Sequence, residues 1–287
     1  MNPALYSVFY VLASAIATVT VDHLVSNIPS TLVLFLVTSI AIIYFHLINI
    51  RKLATIYRSI KSTPVISVIV NLSLAATWLG TYIGIQHLGA TLFNIFFFTT
   101  TAMLACIVDS KNNKHLILLA ATLIAATVLL HLPRLAAIIC VAAGTCGFIY
   151  IKCSYRLSQK TDLTSSQILA MRFWLLWLFL LCVAPLSQLP TYLHWQTILL
   201  IIIVAFISFI VQNWLNQQGI VKAGVKTSTF IISWTPLATL LCQWTLLSEF
   251  KLSWFIFALC CQALLLLTRN GGTRLMKLRI KKDVNRR

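Results

Sequence analysis

A chain of 287 residues with 60% hydrophobic and only 9% charged residues cannot coat a water-facing surface, since soluble domains carry about 25% charged residues. A mean hydropathy of +0.92 agrees, and soluble, disordered, collagen-like and small disulfide-stapled classes are excluded, leaving a polytopic membrane protein. The net charge of +17, from 22 basic against 5 acidic residues, marks topology and no nucleic-acid partner, because Lys and Arg collect on the cytoplasmic side of membrane proteins.

Apolar runs fall near residues 4–21, 30–49, 64–86, 89–108, 115–132, 135–151, 166–186, 196–215, 226–247 and 252–268. Alternating β-barrel patterning is absent, with Leu116–Ala126 apolar on every face, and each run must satisfy its own backbone hydrogen bonds in lipid, which selects helix. The first run has no basic stretch before it, which predicts a retained helix and no cleaved signal. Connections as short as Gln86–Leu88 and His131–Arg134 predict antiparallel neighbours. With the N-terminus inside, 19 of the 22 basic residues fall in inner loops or the C-terminal tail, and only Arg134 and Lys251 fall outside. The fold class predicted is therefore an all-α membrane protein of ten transmembrane helices with both termini cytoplasmic.

Two weak internal echoes share one offset of 135. Ser165–Phe173 in the seventh run echoes Ser30–Thr38 in the second, and Trp234–Leu240 in the ninth echoes Thr99–Ala105 in the fourth. A five-helix unit is odd-numbered, so its second copy must enter the membrane upside down, and inverted repeats are an architecture of secondary transporters. The expected units are residues 1–134, residues 135–268 and a basic cytoplasmic tail, 269–287, lying against anionic lipid headgroups.

The stretch from Gln212 to Leu241, with Pro236-Leu237, followed by Leu247-Ser-Glu-Phe-Lys-Leu-Ser253, resembles the EamA-type drug/metabolite transporter superfamily. Ser165-Ser166 running into Arg172-Phe173 is similar to that family's seventh helix. In the first half, Thr100 or Thr101 stands where the family has proline, and Lys114 near where it has glutamate. The resemblance implies a ten-helix carrier of small organic metabolites, often an exporter, in a bacterial inner membrane, with a central cavity.

Several residues can carry that chemistry. Arg172 lies within the seventh run, where an arginine is costly and so a functional candidate; it either anchors an anionic solute group or packs and snorkels. Asn71, Trp78 and Tyr82, spaced by 7 and 4, share one helix face. With Asn94, Thr100, Gln212, Asn213, Trp214, Trp234 and Gln243 they form a candidate cavity lining, each also able to serve as interhelix glue. Pro236 frees the carbonyl of Ile232 and makes either a hinge or a packed kink. Gly80-Thr-Tyr-Ile-Gly84 permits close helix contact, within the monomer or in a homodimer. Asp22-His23 is a solvated helix end or a proton relay, and Glu249 a turn residue or a coupling acid.

No enzyme motif, metal-ligand spacing or phosphate loop stands out. The eight cysteines form no C-x-x-C pair, and neither cofactor nor metal is expected. The function expected is secondary transport, as an exporter or exchanger, of a small polar or zwitterionic organic metabolite such as an amino-acid-like solute, by alternating access. A flippase for an amphipathic or lipid-linked solute and a non-transporting scaffold remain as rivals.

Overall fold

The computed structural model describes residues 2–109, 114–192 and 194–284, and the side chains at 109, 114, 115 and 269–284 are not among those described. Lys111, Lys114 and the basic side chains of the tail therefore lie outside the described residues. Among the described residues there is no strand, and seven helices are long and apolar enough to cross a membrane. These are Pro3–Val25, Ser30–Ile48, Pro64–Val108, Arg134–Lys160, Ser165–Val183, Trp195–Ala223 and Val225–Leu247; Leu116–Leu129 and Leu252–Thr268 are apolar but shorter. The protein is an all-helical integral membrane protein.

Helix α1 (Pro3–Val25) opens with Pro3 at its first turn and Asn2 accepting from the amide of Ala4 at 3.0 Å, which meets one of the amides that no helix can satisfy internally. Then come α2 (Ser30–Ile48), the short amphipathic α3 (Leu53–Ser62) and α4 (Pro64–Asp109). At about 1.5 Å per residue, the 45-residue span Pro64–Val108 of α4 would reach about 68 Å, over twice the roughly 30 Å hydrocarbon core of a bilayer. The helix breaks at Gly89, with φ 77° and ψ 167°, a conformation that costs any residue with a Cβ. A Cβ placed on Gly84 would stand 2.7 Å from the Phe93 ring, which a straight helix forbids, so the chain folds back. The connection expected at Gln86–Leu88 is thus helical, and the reversal is concentrated in one glycine.

The remaining elements are α5 (Lys114–Leu129), α6 (Arg134–Lys160), α7 (Ser165–Ala170), α8 (Trp174–Val183), α9 (Leu189–Tyr192), α10 (Trp195–Val204), a π-helical stretch (Ala205–Val211), α11 (Gln212–Ala223), α12 (Val225–Ile232), α13 (Thr235–Leu247) and α14 (Leu252–Val284). A second glycine, Gly224, separates α11 from α12 with φ 81° and ψ 161°. It stands 135 positions after Gly89 in nearly the same conformation.

Helices α4 and α6 make the most extensive contact in the molecule. Glycines permit it: Cβ atoms built on Gly80 and Gly84 would lie 2.7 Å from Ala143 Cβ and 2.8 Å from Cys140 Sγ of α6. The G-x-x-x-G pattern is therefore used inside the monomer. Reciprocally, α1 packs on α11, α12 and α13 as well as on α4, while α2 lies along α8 and the π-helical stretch.

Candidate functional site: a small polar cavity beside a buried arginine

Helix α1, both arms of α4, α6, the π-helical stretch and α11 enclose a cavity of about 60 Å³. Ligand pockets for drug-sized molecules span roughly 300–1,000 Å³, so this cavity is well below that size. Tyr10, Ser14 and Thr18 reach it from α1; Thr77, Trp78, Thr81 and Tyr82 from the first arm of α4; Phe93, Asn94 and Phe97 from the second. Tyr150 comes from α6, Ser208 from the π-helical stretch, and Gln212, Asn213 and Asn216 from α11. Trp78 stacks on Phe209 with ring centroids 4.1 Å apart, making one apolar wall.

Hydrogen bonds tie these side chains together. Gln212 Nε2 donates to Ser14 Oγ at 3.2 Å and Tyr10 Oη at 3.4 Å. Asn94 Nδ2 donates to Thr18 Oγ1 at 2.9 Å and Thr239 Oγ1 at 2.7 Å, joining α4 to α1 and α13. The π-helical stretch joins α10 to α11, and π-bulges of this kind cluster at functional sites. Asn213 Nδ2 closes that stretch by donating to the carbonyls of Ser208 at 3.2 Å and Phe209 at 2.9 Å.

Cavity positions recur at the interval separating the two glycines. Thr77 and Gln212, Trp78 and Asn213, and Thr81 and Asn216 are each 135 apart, and all six face the cavity. Three positions of α4 and the positions 135 further along, in α11, thus face one space.

Arg172 stands directly behind this wall. The helix expected to run through it is interrupted: α7 ends at Ala170, α8 begins at Trp174, and Arg172 sits in the break. Asn71 Nδ2 donates to the carbonyl of Met171 at 3.4 Å, giving that oxygen a partner at the break. The Arg172 side chain is fully buried, at 0% exposure, and is the only buried charged side chain among the described residues. Its Nη1 donates to Gln217 Oε1 at 3.2 Å and its Nη2 to Asn213 Oδ1 at 3.0 Å. The guanidinium carbon lies 4.8 Å from the Tyr150 ring centroid and 5.5 Å from that of Phe173. Snorkelling to an interface is therefore not what this side chain does.

Of the residues singled out from sequence, Trp78, Tyr82, Asn94, Gln212 and Asn213 line the cavity. Asn71 holds the α7–α8 break, and Gln243 accepts a hydrogen bond from Thr91. Thr100 is buried beside Gly144. Trp214 and Trp234, each 39% exposed, face outward. Pro236 follows a break at Ser233–Trp234 whose carbonyls are partnered: Thr235 Oγ1 donates to Ile232 O at 2.6 Å, and Gln262 Nε2 donates to Ser233 O. The kink is packed in this conformation. Asp22 Oδ2 accepts from the amide of Ala90 at 2.9 Å, so it is not a solvated helix end. Glu249 is exposed in the turn after α13.

Sequence reasoning missed Tyr10, Ser14 and Thr18, although their spacing of 4 on one helix face was a usable signal. Asn216, four residues after Gln212, carried the same signal, and Tyr150 did not. Compared with known proteins, the sequence matches no family model and no curated protein.

Proposed function

We propose that this chain is a secondary carrier of a small polar or zwitterionic organic solute, of the EamA type, working by alternating access. On this reading α4 contributes two spans and the two shorter apolar helices one each, giving ten spans in two inverted five-helix repeats. The observation that carries the reading is the pairing of cavity positions 135 residues apart, three from α4 and three from α11. Gly89 and Gly224, at the same interval and in matching conformations, support it. So does the reciprocal packing, in which α1 lies on α11 and α12 while α6 lies on α4. Polar groups gathered between two repeats are where inverted-repeat carriers hold solute. A cavity too small for such a solute corresponds to a closed state between two open ones.

The test combines a thermal screen with transport. Purified protein is melted against small metabolites, because a ligand binding only the folded state raises its stability. Each stabilising compound is then offered, labelled, to proteoliposomes preloaded with the unlabelled compound. Counterflow is expected, and it should persist with the membrane potential collapsed and the pH gradient removed, since among the described residues no carboxylate lines the cavity. Stabilising compounds that show no counterflow would leave a scaffold, and strict loss of counterflow without a gradient would implicate a coupling ion.

A further inference from the structure

Resting on the carrier reading, we infer that the solute bears an anionic oxygen group, a carboxylate or phosphate, and that Arg172 is its counter-charge. A guanidinium keeps its charge under essentially all conditions, and a buried charge is costly unless paired. Here no carboxylate among the described residues pairs with it. Its partners are the neutral amide oxygens of Asn213 and Gln217. These satisfy geometry and leave the full positive charge uncompensated.

The unpaired groups around it are mostly donors. Arg172 Nε, Gln217 Nε2 and Tyr150 Oη are buried and have no hydrogen-bond partner among the described residues. Three unmatched donors about one uncompensated cation form a receptor for a group rich in acceptor oxygens. A cationic or neutral solute would leave them unmatched.

The arrangement also sets the route. Arg172 does not itself line the cavity, but Tyr150 and Asn213, which touch it, do. Both segments that carry this pair of contacts are irregular: Arg172 sits between α7 and α8, and Asn213 follows the π-helical stretch. Widening the cavity at these joints would bring the guanidinium to the solute. Asn213 Oδ1 would then yield its place on Nη2 to an anionic oxygen.

The experiment uses the full chain, purified and melted in the presence of millimolar pyruvate, malate, glutamate, glycerol phosphate and phosphoenolpyruvate. Pyruvamide, glycerol, choline and putrescine serve as neutral and cationic counterparts. At least one anion should raise the melting temperature. Its apparent affinity should fall roughly tenfold to hundredfold in Arg172→Gln, the loss of one charge-assisted bond, and less in Arg172→Lys. Tyr150→Phe, which keeps the ring over the guanidinium, should weaken the same anion several-fold and carries the test if Arg172→Gln does not fold. Stabilisation by neutral or cationic members alone would overturn the inference and leave the carrier reading standing. Equal anion affinity in the parent and these variants would overturn it as well. If no compound of any charge shifts the melting temperature, the small-solute reading of the cavity falls and takes this inference with it.

Discussion

The carboxylate of Asp22 accepts a hydrogen bond from the backbone amide of Ala90 at 2.9 Å, so the end of α1 caps the second arm of α4. The capping residue lies 68 positions earlier in the chain, where a capping side chain ordinarily immediately precedes its helix. Gly89 would place any Cβ 3.4 Å from the same carboxylate oxygen. The reversal in α4 and the end of α1 are therefore one structural unit.

Asp22→Ala should lower unfolding stability by about 1 kcal/mol, the usual cost of losing a helix cap. Asp22→Asn keeps an acceptor oxygen and should lose less. Transport by Asp22→Asn should remain near the parent rate, because the carboxylate is engaged in capping. A thermal melt and a counterflow assay on the same preparations decide this, and abolished transport with an unchanged melt would return Asp22 to a proton-relay role.

Gly89 and Gly224 share a positive-φ, extended-ψ conformation that is essentially restricted to glycine, so Gly89→Ala and Gly224→Ala should each cost about 1–3 kcal/mol. A Cβ at Gly224 meets nothing within 4 Å, so its loss is conformational strain alone. Chemical denaturation in detergent reads both values. A Gly224→Ala protein as stable as the parent would mean that the helix break relaxes without cost.

At the α4–α6 contact the constraint is steric. A Cβ on Gly144 would lie 2.6 Å from the Phe97 carbonyl oxygen and 2.9 Å from Thr100 Cβ. Gly144→Val should destabilise by about 1–3 kcal/mol or more, the range for overpacking, while a change at exposed Ile138 on the same helix should be silent. Equal melting temperatures for the Gly144 variant and its parent would contradict the close approach.

Orientation follows from charge. A reporter fused after Arg287 should read cytoplasmic and one inserted between Ser187 and Trp195 external, given the positive-inside bias. An external C-terminus would remove the ten-span arrangement together with the inverted repeat.

Much of the helical layout was legible in the sequence because lipid leaves the backbone no alternative. Every apolar run is mostly helical, although those at 166–186 and 226–247 are each broken once within the span. Trp78 and Tyr82 were legible as cavity residues because they repeat on one helix face, and Gln212 and Asn213 because adjacent amides in an apolar run must find partners. Asn71 and Gln243 obey the same rule, yet they found those partners in a backbone carbonyl and in Thr91. Composition tells that a buried amide is bonded, but the bonded atom depends on where neighbouring helices break. Those breaks lack a local signature: the interruption around Arg172 has neither proline nor glycine, and the π-helical stretch Ala205–Val211 reads as ordinary apolar helix. Trp214 and Trp234 do not line the cavity in this structure for the same reason, since a small rotation moves an indole from one face to the other.

The irregular turns between residues 165 and 247 are held by few side-chain atoms. Asn71 holds the carbonyl of Met171, Asn213 those of Ser208 and Phe209, Thr235 that of Ile232, and Gln262 that of Ser233. Four polar side chains thus serve three joints, with Thr235 and Gln262 sharing the one between α12 and α13. Asn71→Leu would remove the side-chain bond at the α7–α8 joint and leave those at the other joints in place, so each break can be altered separately without rebuilding the helical frame.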